Sequence, residues 1–100
     1  MPAACISTGF AANKEDLVFG PIPTGGTTIS HLKVEASASN TATITALDNG
    51  TATTVTCTMT SGTTCSDDTH SAFIAEGHYV EVQVANTAVA EAVFVAAFIY

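Results

Sequence analysis

The sequence has very little positive charge and no tryptophan. Among its 100 residues only Lys14 and Lys33 carry a fixed positive charge, against nine acidic residues, which gives a net charge of -7. Nucleic-acid affinity comes from lysine and arginine side chains that neutralise successive phosphates. We therefore expect no nucleic-acid partner and no affinity for an acidic membrane surface.

Long apolar runs are also missing. The longest, residues 92–100, contains nine residues, whereas a membrane-spanning helix needs roughly 20. The first residues have neither a basic start nor a long apolar stretch, so they do not resemble a secretory signal. We expect no membrane partner, and the length predicts one domain over residues 1–100.

Recognisable catalytic and metal-binding motifs are absent as well. The sequence has no glycine-rich phosphate loop, no Gly-x-Ser-x-Gly elbow and no His-Glu-x-x-His pair. His31, His70 and His78 stand singly and fit turn or surface positions. Cys57, Cys65 and His70 do not have the close spacing of zinc ligands. We therefore expect no enzyme, no bound metal and no cofactor.

Two adjacent carboxylates, Asp67 and Asp68, raise the question of a weak calcium site. With Ser66 and Thr69 they offer a few oxygen ligands, as loop sites in extracellular modules do. Two neighbouring carboxylates are too few for such a site, and the alternating ligands of an EF-hand loop do not follow. A solvated turn is the favoured interpretation.

Threonine and alanine are abundant, with 17 of each, and they alternate with period two. In residues 41–47 the threonines share one face of an extended strand while Ala42, Ile44 and Ala46 share the other. A disordered segment would have a similar composition but would lack these periodic apolar residues. The pattern therefore predicts a strand with one wet side.

A tight turn follows this strand. Asn49 and Gly50 tolerate positive φ and form one of the strongest short hairpin signals, so residues 53–60 should return antiparallel. The returning strand would place Val55, Cys57 and Met59 inward. The same turn explains the match of Asn49-Gly50-Thr51 to a glycosylation sequon.

Further strands are predicted at even spacing along the chain. A polar turn at 75–78 leads into residues 79–84, where Val80, Val82 and Val84 should face the core. Strands are also expected at 5–10, 17–19 and 28–36, with a proline- and glycine-rich loop at 20–26. The total of seven to eight strands predicts an all-β fold, a single antiparallel β-sandwich of jelly-roll-like architecture, with a small barrel as the alternative.

The last strand differs from the others because both of its alternating sets are apolar. It is either a central strand covered on both sides within one subunit or a strand buried against another subunit. We favour the second interpretation, most simply in a homotrimer, because a large exposed apolar patch is unusual on a monomer. The predicted interface consists of Val93, Phe94, Val95, Phe98, Ile99 and Tyr100.

Cys57 and Cys65 bracket a segment that can turn over itself and bring the two thiols together. A disulfide closing this short loop would stabilise the fold by about 2–3 kcal/mol and would require an oxidising compartment or exposure after release. The alternative is two buried thiols that act as small apolar side chains. Both interpretations fit an inward Cys57, and Cys5 is left unpaired.

Several of these segments together resemble a known group of proteins. The stretch at 19–34, the Thr/Ala hairpin around Asp48-Asn49-Gly50, the run at 75–84 and the closing aromatic strand resemble small β-sandwich virion proteins of tailed bacteriophages. The opening at 11–14 is similar to theirs. The same pattern also resembles the jelly-roll heads of TNF/C1q type, in which a final apolar strand lies near a trimer axis.

The resemblance implies a role in a particle rather than a chemical reaction. It points to a capsid decoration (cement) protein that binds the major capsid protein lattice and is located on the virion. The alternative that it implies is a trimeric receptor- or glycan-binding head of a tail fibre or an extracellular fibre. No catalytic or binding residues carry over from the group.

Overall fold

The computed structural model describes residues 3–8, 14–85 and 94–100, with side chains for 20–85 and 96–100. Within these residues the chain forms six strands that pair antiparallel, and none of it is helical. The strands are β1 (Ala3–Thr8), β2 (Lys14–Phe19), β3 (Thr27–Asp48), β4 (Thr51–Ile74), β5 (Val80–Ala85) and β6 (Phe94–Ile99). The predicted all-β antiparallel class is confirmed.

Strand β3 is the centre of the sheet. The strand order is β1-β6-β3-β5-β2, and β4 pairs with β3 along its other edge. The first half of β3 pairs with β6, from Ser30 opposite Ile99 to Ala36 opposite Phe94. The second half pairs with β5, up to Asp48 opposite Val80. Strand β3 therefore connects two pairs of strands, β1 with β6 and β5 with β2. The two pairs lie along different halves of β3.

Strand β4 turns back on itself. An extended strand rises about 3.3 Å per residue, so two residues eight apart would normally lie roughly 26 Å apart. The Cα atoms of Cys57 and Cys65, which have a sequence separation of 8, are only 5.8 Å apart. The reversal lies around Ser61, whose φ is 46°. The sheet consequently folds over, and the two halves of β4 approach each other.

The hydrophobic core lies inside this fold. The predicted inward residues of β4 and β5 are buried, which confirms the alternation proposed for both segments. Phe98 of β6 is also buried there. The largest fully buried side chains are Ile29, Leu32, Ile44, Val55, Met59, Ile74, Val80, Val82, Val84 and Phe98.

The turn between β3 and β4 has the predicted hairpin geometry. Asn49 and Gly50 both have positive φ, 51° and 88° respectively. Positive φ at both central residues is the signature of the turn type that matches the twist of the flanking strands. The prediction of a hairpin with a left-handed Gly50 is confirmed.

Two features of the strands differ from the sequence analysis. Residues 28–36 and 41–47 were expected as separate strands, but they form one continuous strand through the exposed, small residues 37–39. Residues 61–74 were not expected as a strand, yet they form the second half of β4. That half carries mostly polar side chains, and the inward-pointing Asp67 breaks the apolar alternation.

Candidate functional site

The predicted interface residues fall into four groups in the structure. Val93 lies outside the described residues, and for Phe94 and Val95 only the backbone is described, opposite Ala36 and Glu35. Ile99 and Tyr100 are half-buried in the single chain.

Phe98 requires a correction. Its exposed fraction is 1%, and it belongs to the core of the subunit. Its ring meets that of Tyr100 edge to face, with centroids 6.4 Å apart. The predicted assignment of Phe98 to a surface between subunits was wrong, because the folded sheet of its own chain already covers it.

The other side of β6 forms an open surface that we call the β6 face. It consists of Lys33 and Glu35 from β3, Thr64 and Ser66 from β4, and Ala97 from β6. The register is regular here, with Ala97 and Ser66 on either side of Lys33, and Thr64 beside Glu35. Lys33 and Glu35 are exposed and project from between short side chains. The result is a shallow groove of about 510 Å³.

A second depression of about 310 Å³ adjoins the β6 face. Its walls are His31, Lys33, Asp68 and residues 97–99. His31 has a positive φ of 55° at an irregular point of the β3–β4 pairing. Lys33 thus stands between two depressions on one side of the folded sheet.

The reversal in β4 is fastened by a disulfide. Cys57 and Cys65 are joined sulfur to sulfur in the structure. Cys57 is buried and Cys65 is half-buried against the core. The bond therefore connects the first half of β4 with the second half.

Asp67 fastens the same reversal by hydrogen bonds. One carboxylate oxygen accepts from the backbone N–H of Thr56, at 3.1 Å, on the first half of β4. The other accepts from the backbone N–H groups of Thr69 and His70, both at 3.1 Å. The His70 ring is also in reach, with Nδ1 2.9 Å from Oδ2, and since a carboxylate only accepts, Nδ1 is the donor.

These donors determine the charge state of Asp67. Burial of the carboxyl raises its pKa, but the hydrogen bonds from Thr56, Thr69 and His70 lower it by more, so the pKa lies well below its ordinary value. Asp67 is 5% exposed, so the predicted solvated turn was wrong for this residue. Asp68 beside it is exposed, as a solvated turn requires.

The loops 20–26, 49–50 and 75–79 meet at one end of the molecule, which we call the loop end. Ile22 donates to the carbonyl of His78, and Gly77 donates to the carbonyl of Ile22, both at 2.9 Å. Asn49 and Tyr79 exchange two hydrogen bonds, of 2.9 Å and 3.1 Å. The three loops therefore hold one another in place.

His78 adds a side-chain link to the loop end. Its Nδ1 lies 2.8 Å from Oδ1 of Asp48, at the end of β3. His78 and Asp48 are both partly exposed. The predicted surface position of this histidine thus coincides with a hydrogen bond between two neighbouring turns.

Two large hydrophobic side chains are exposed at or beside the loop end, Phe73 at 61% and Tyr79 at 37%. The ring of Phe73 covers Gly26, where a Cβ would stand 2.5 Å from its Cζ atom. The backbone of Tyr79 packs against Gly20, where a Cβ would stand 3.0 Å from the Tyr79 Cα atom. Phe73 is therefore in contact through its ring and Tyr79 through its backbone.

Sequence reasoning missed Asp67 as a structural residue. A usable signal was present, since an aspartate followed two and three residues later by turn-forming residues often accepts their N–H groups. The contact from Thr56 had no local signal, because it depends on the reversal of β4.

Among residues 20–85 and 96–100, no group of three or more His, Cys, Asp or Glu side chains is arranged to hold a metal ion. Across the described part of the chain there is also no helix with the length and apolar character for a membrane span. Comparison with protein-family models, with curated proteins and with solved structures found no match.

Proposed function

We propose that the folded sheet is an eight-stranded jelly roll. Strands β3 and β4 each serve both parts of the fold, so that counting their halves separately gives eight strands. The orders are then β1-β6-β3-β4 on one side and β2-β5-β3-β4 on the other, which the observed pairings support. Jelly rolls of this kind form viral capsid and lectin domains.

On this fold we propose a non-catalytic role as a structural protein of a phage virion, most simply a capsid decoration protein. The observation that carries the proposal is the loop end, where Tyr79 is exposed on loops that hydrogen-bond to one another and Phe73, near the end of β4, is exposed beside them. Aromatic side chains that are already held in position lose little freedom on binding and often dominate protein interfaces. The partner surface would be the major capsid protein lattice.

A binding assay with capsids that lack this chain tests the proposal. The parent chain should sediment with the capsids, and Phe73→Ala and Tyr79→Ala should each weaken binding without a change in melting temperature. Thr58→Ala, at an exposed position in the first half of β4, serves as the control. Equal capsid binding by all four chains, or no binding by the parent, would contradict the proposed decoration role.

A second candidate function is a receptor- or glycan-binding head of a fibre. It is favoured by the same exposed Phe73 together with the Cys57–Cys65 disulfide, since sugar rings stack on aromatic faces and disulfides persist outside cells. A map of purified virions separates the two candidates. Density that tiles the shell supports decoration, whereas density only at fibre tips supports the fibre head.

A further inference from the structure

We propose that the β6 face binds a second copy of this chain about a two-fold axis that lies in the contact plane opposite Val34, at right angles to β3. The inference begins with Lys33, an exposed lysine in a strongly acidic protein. Lys33 forms no ion pair with any of the residues that the structure describes. Its position between two depressions leaves its ammonium group open to a partner.

The charge order along β3 is complementary to itself. Lys33 and Glu35 flank Val34, point to the same side and lie about 7 Å apart along the strand. A two-fold axis that lies in the plane of the contact and at right angles to β3 reverses the strand direction of the second copy. Lys33 then faces Glu35 of the other copy, and Glu35 faces Lys33, as the self-complementary surface of a two-fold pair requires.

The shape of the β6 face permits this contact. The short side chains of Ala97, Ser66 and Thr64 leave the groove of about 510 Å³ around the two charged residues. The Lys33 and Glu35 side chains of the second copy have room to enter there. Contact would also cover Ala97 and Ile99, which are half-buried and apolar in the single chain.

The charge pairs determine how the two copies are aligned, while apolar burial supplies attraction. Exposed ion pairs contribute little by themselves, but like charges placed opposite each other are strongly unfavourable. The net charge of -7 on each copy opposes association at long range. At physiological ionic strength this repulsion is screened beyond about 8 Å.

The proposal replaces the three copies expected from the sequence with two. It relies on the proposed virion function only for its biological use, and its test does not involve capsids. A chain that binds capsids but remains monomeric would overturn this inference alone. A two-fold pair that ignores capsids would overturn the proposed function alone.

Charge reversal provides the experiment, with sedimentation velocity as the readout. Lys33→Glu places two glutamates opposite two glutamates, and Glu35→Lys places two lysines opposite two lysines. We expect each variant to dissociate, with affinity at least about tenfold weaker than that of the parent. Mixing the two variants restores both opposite-charge contacts, so we expect one-to-one pairs to form.

The matched control for Glu35→Lys is Glu76→Lys, which makes the same charge change at an exposed position of the loop end. This control should leave association unchanged. Melting curves confirm that each variant is folded. A parent that is monomeric or trimeric would overturn the two-fold pair. The two-fold pair would also be overturned if the single variants associated like the parent, or if the mixture of the two variants formed no pairs.

Discussion

At the scale of single residues, Asp67 combines burial with charge. Its carboxylate is held by donors from both halves of β4, which keeps its pKa well below the ordinary value. A carboxyl group whose pKa is lower in the folded chain than in the unfolded chain, about 3.9, stabilises the fold above that pH. The contribution is lost as the pH falls below about 4 toward the folded pKa.

Asp67→Asn tests this role. Asparagine keeps one acceptor oxygen but presents an NH₂ group to the remaining N–H donors, so we expect a loss of about 1–3 kcal/mol at pH 7. The difference from the parent should shrink as the pH falls below about 4. Urea unfolding at several pH values measures it. Asp68→Asn, at an exposed neighbour, should match the parent, and a pH-independent loss at Asp67 would contradict the charge argument.

Gly50 is the second residue whose type is dictated by the backbone. Its φ of 88° lies in the left-handed region, which a β-branched side chain strongly disfavours. We expect Gly50→Val to lower the free energy of unfolding by about 1–2 kcal/mol. Gly62→Val is the control, since Gly62 does not have a positive φ. Thermal melting compares the two, and equal losses would mean that turn geometry is not the cause.

At the scale of elements, the disulfide holds the reversal of β4. Closing a loop of this length should stabilise the fold by about 2–3 kcal/mol through the entropy of the unfolded chain. Cys65→Ser should therefore lower the melting temperature, and a reducing agent should lower that of the parent to a similar value. The same reducing agent should not affect Cys65→Ser. Free Cys57 and Cys65 thiols in mass spectrometry of unreduced peptides would contradict the presence of the disulfide.

The elements also show what the sequence can predict. The segments around Ile44, Val55 and Val82 alternate strictly, and their inward faces follow directly from period two. The second half of β4 escapes this rule because Asp67 takes an inward position and residues 68–70 interrupt the pairing with β3. A prediction made from the hydrophobic pattern alone therefore assigns such a segment to a loop.

The candidate surfaces were less accessible to sequence reasoning. The apolar character of β6 was visible, but alternation alone did not say which side faced the core of its own chain. Loop contacts such as Asn49 with Tyr79 join residues 30 apart, so no local signal exists for them. The placement of Lys33 between two depressions likewise depends on segments of three strands, around residues 33, 65 and 97, that are distant in sequence.

At the scale of the whole molecule, β6 separates the interior from the proposed contact between copies. Phe98 and Ile99 are neighbours in one strand, but Phe98 is 1% exposed whereas Ile99 is half-buried on the other side. Phe98→Asp would place an unpaired carboxylate in the core, so failure to fold would reveal nothing about assembly. A pair of milder substitutions distinguishes the two sides of the strand.

We expect Phe98→Ala to cost about 3–5 kcal/mol in urea unfolding of the dissociated chain, as large truncations in a packed core do. Ile99→Ser should cost about 1 kcal/mol or less in the same measurement, because its side chain borders solvent when the copies are apart. In sedimentation we expect the larger effect at Ile99. Ile99→Ser should weaken association, whereas any Phe98→Ala chain that remains folded should still form pairs. Equal unfolding losses at the two positions would show that one subunit covers both sides of β6, and the β6 face would then have no apolar surface to offer a second copy.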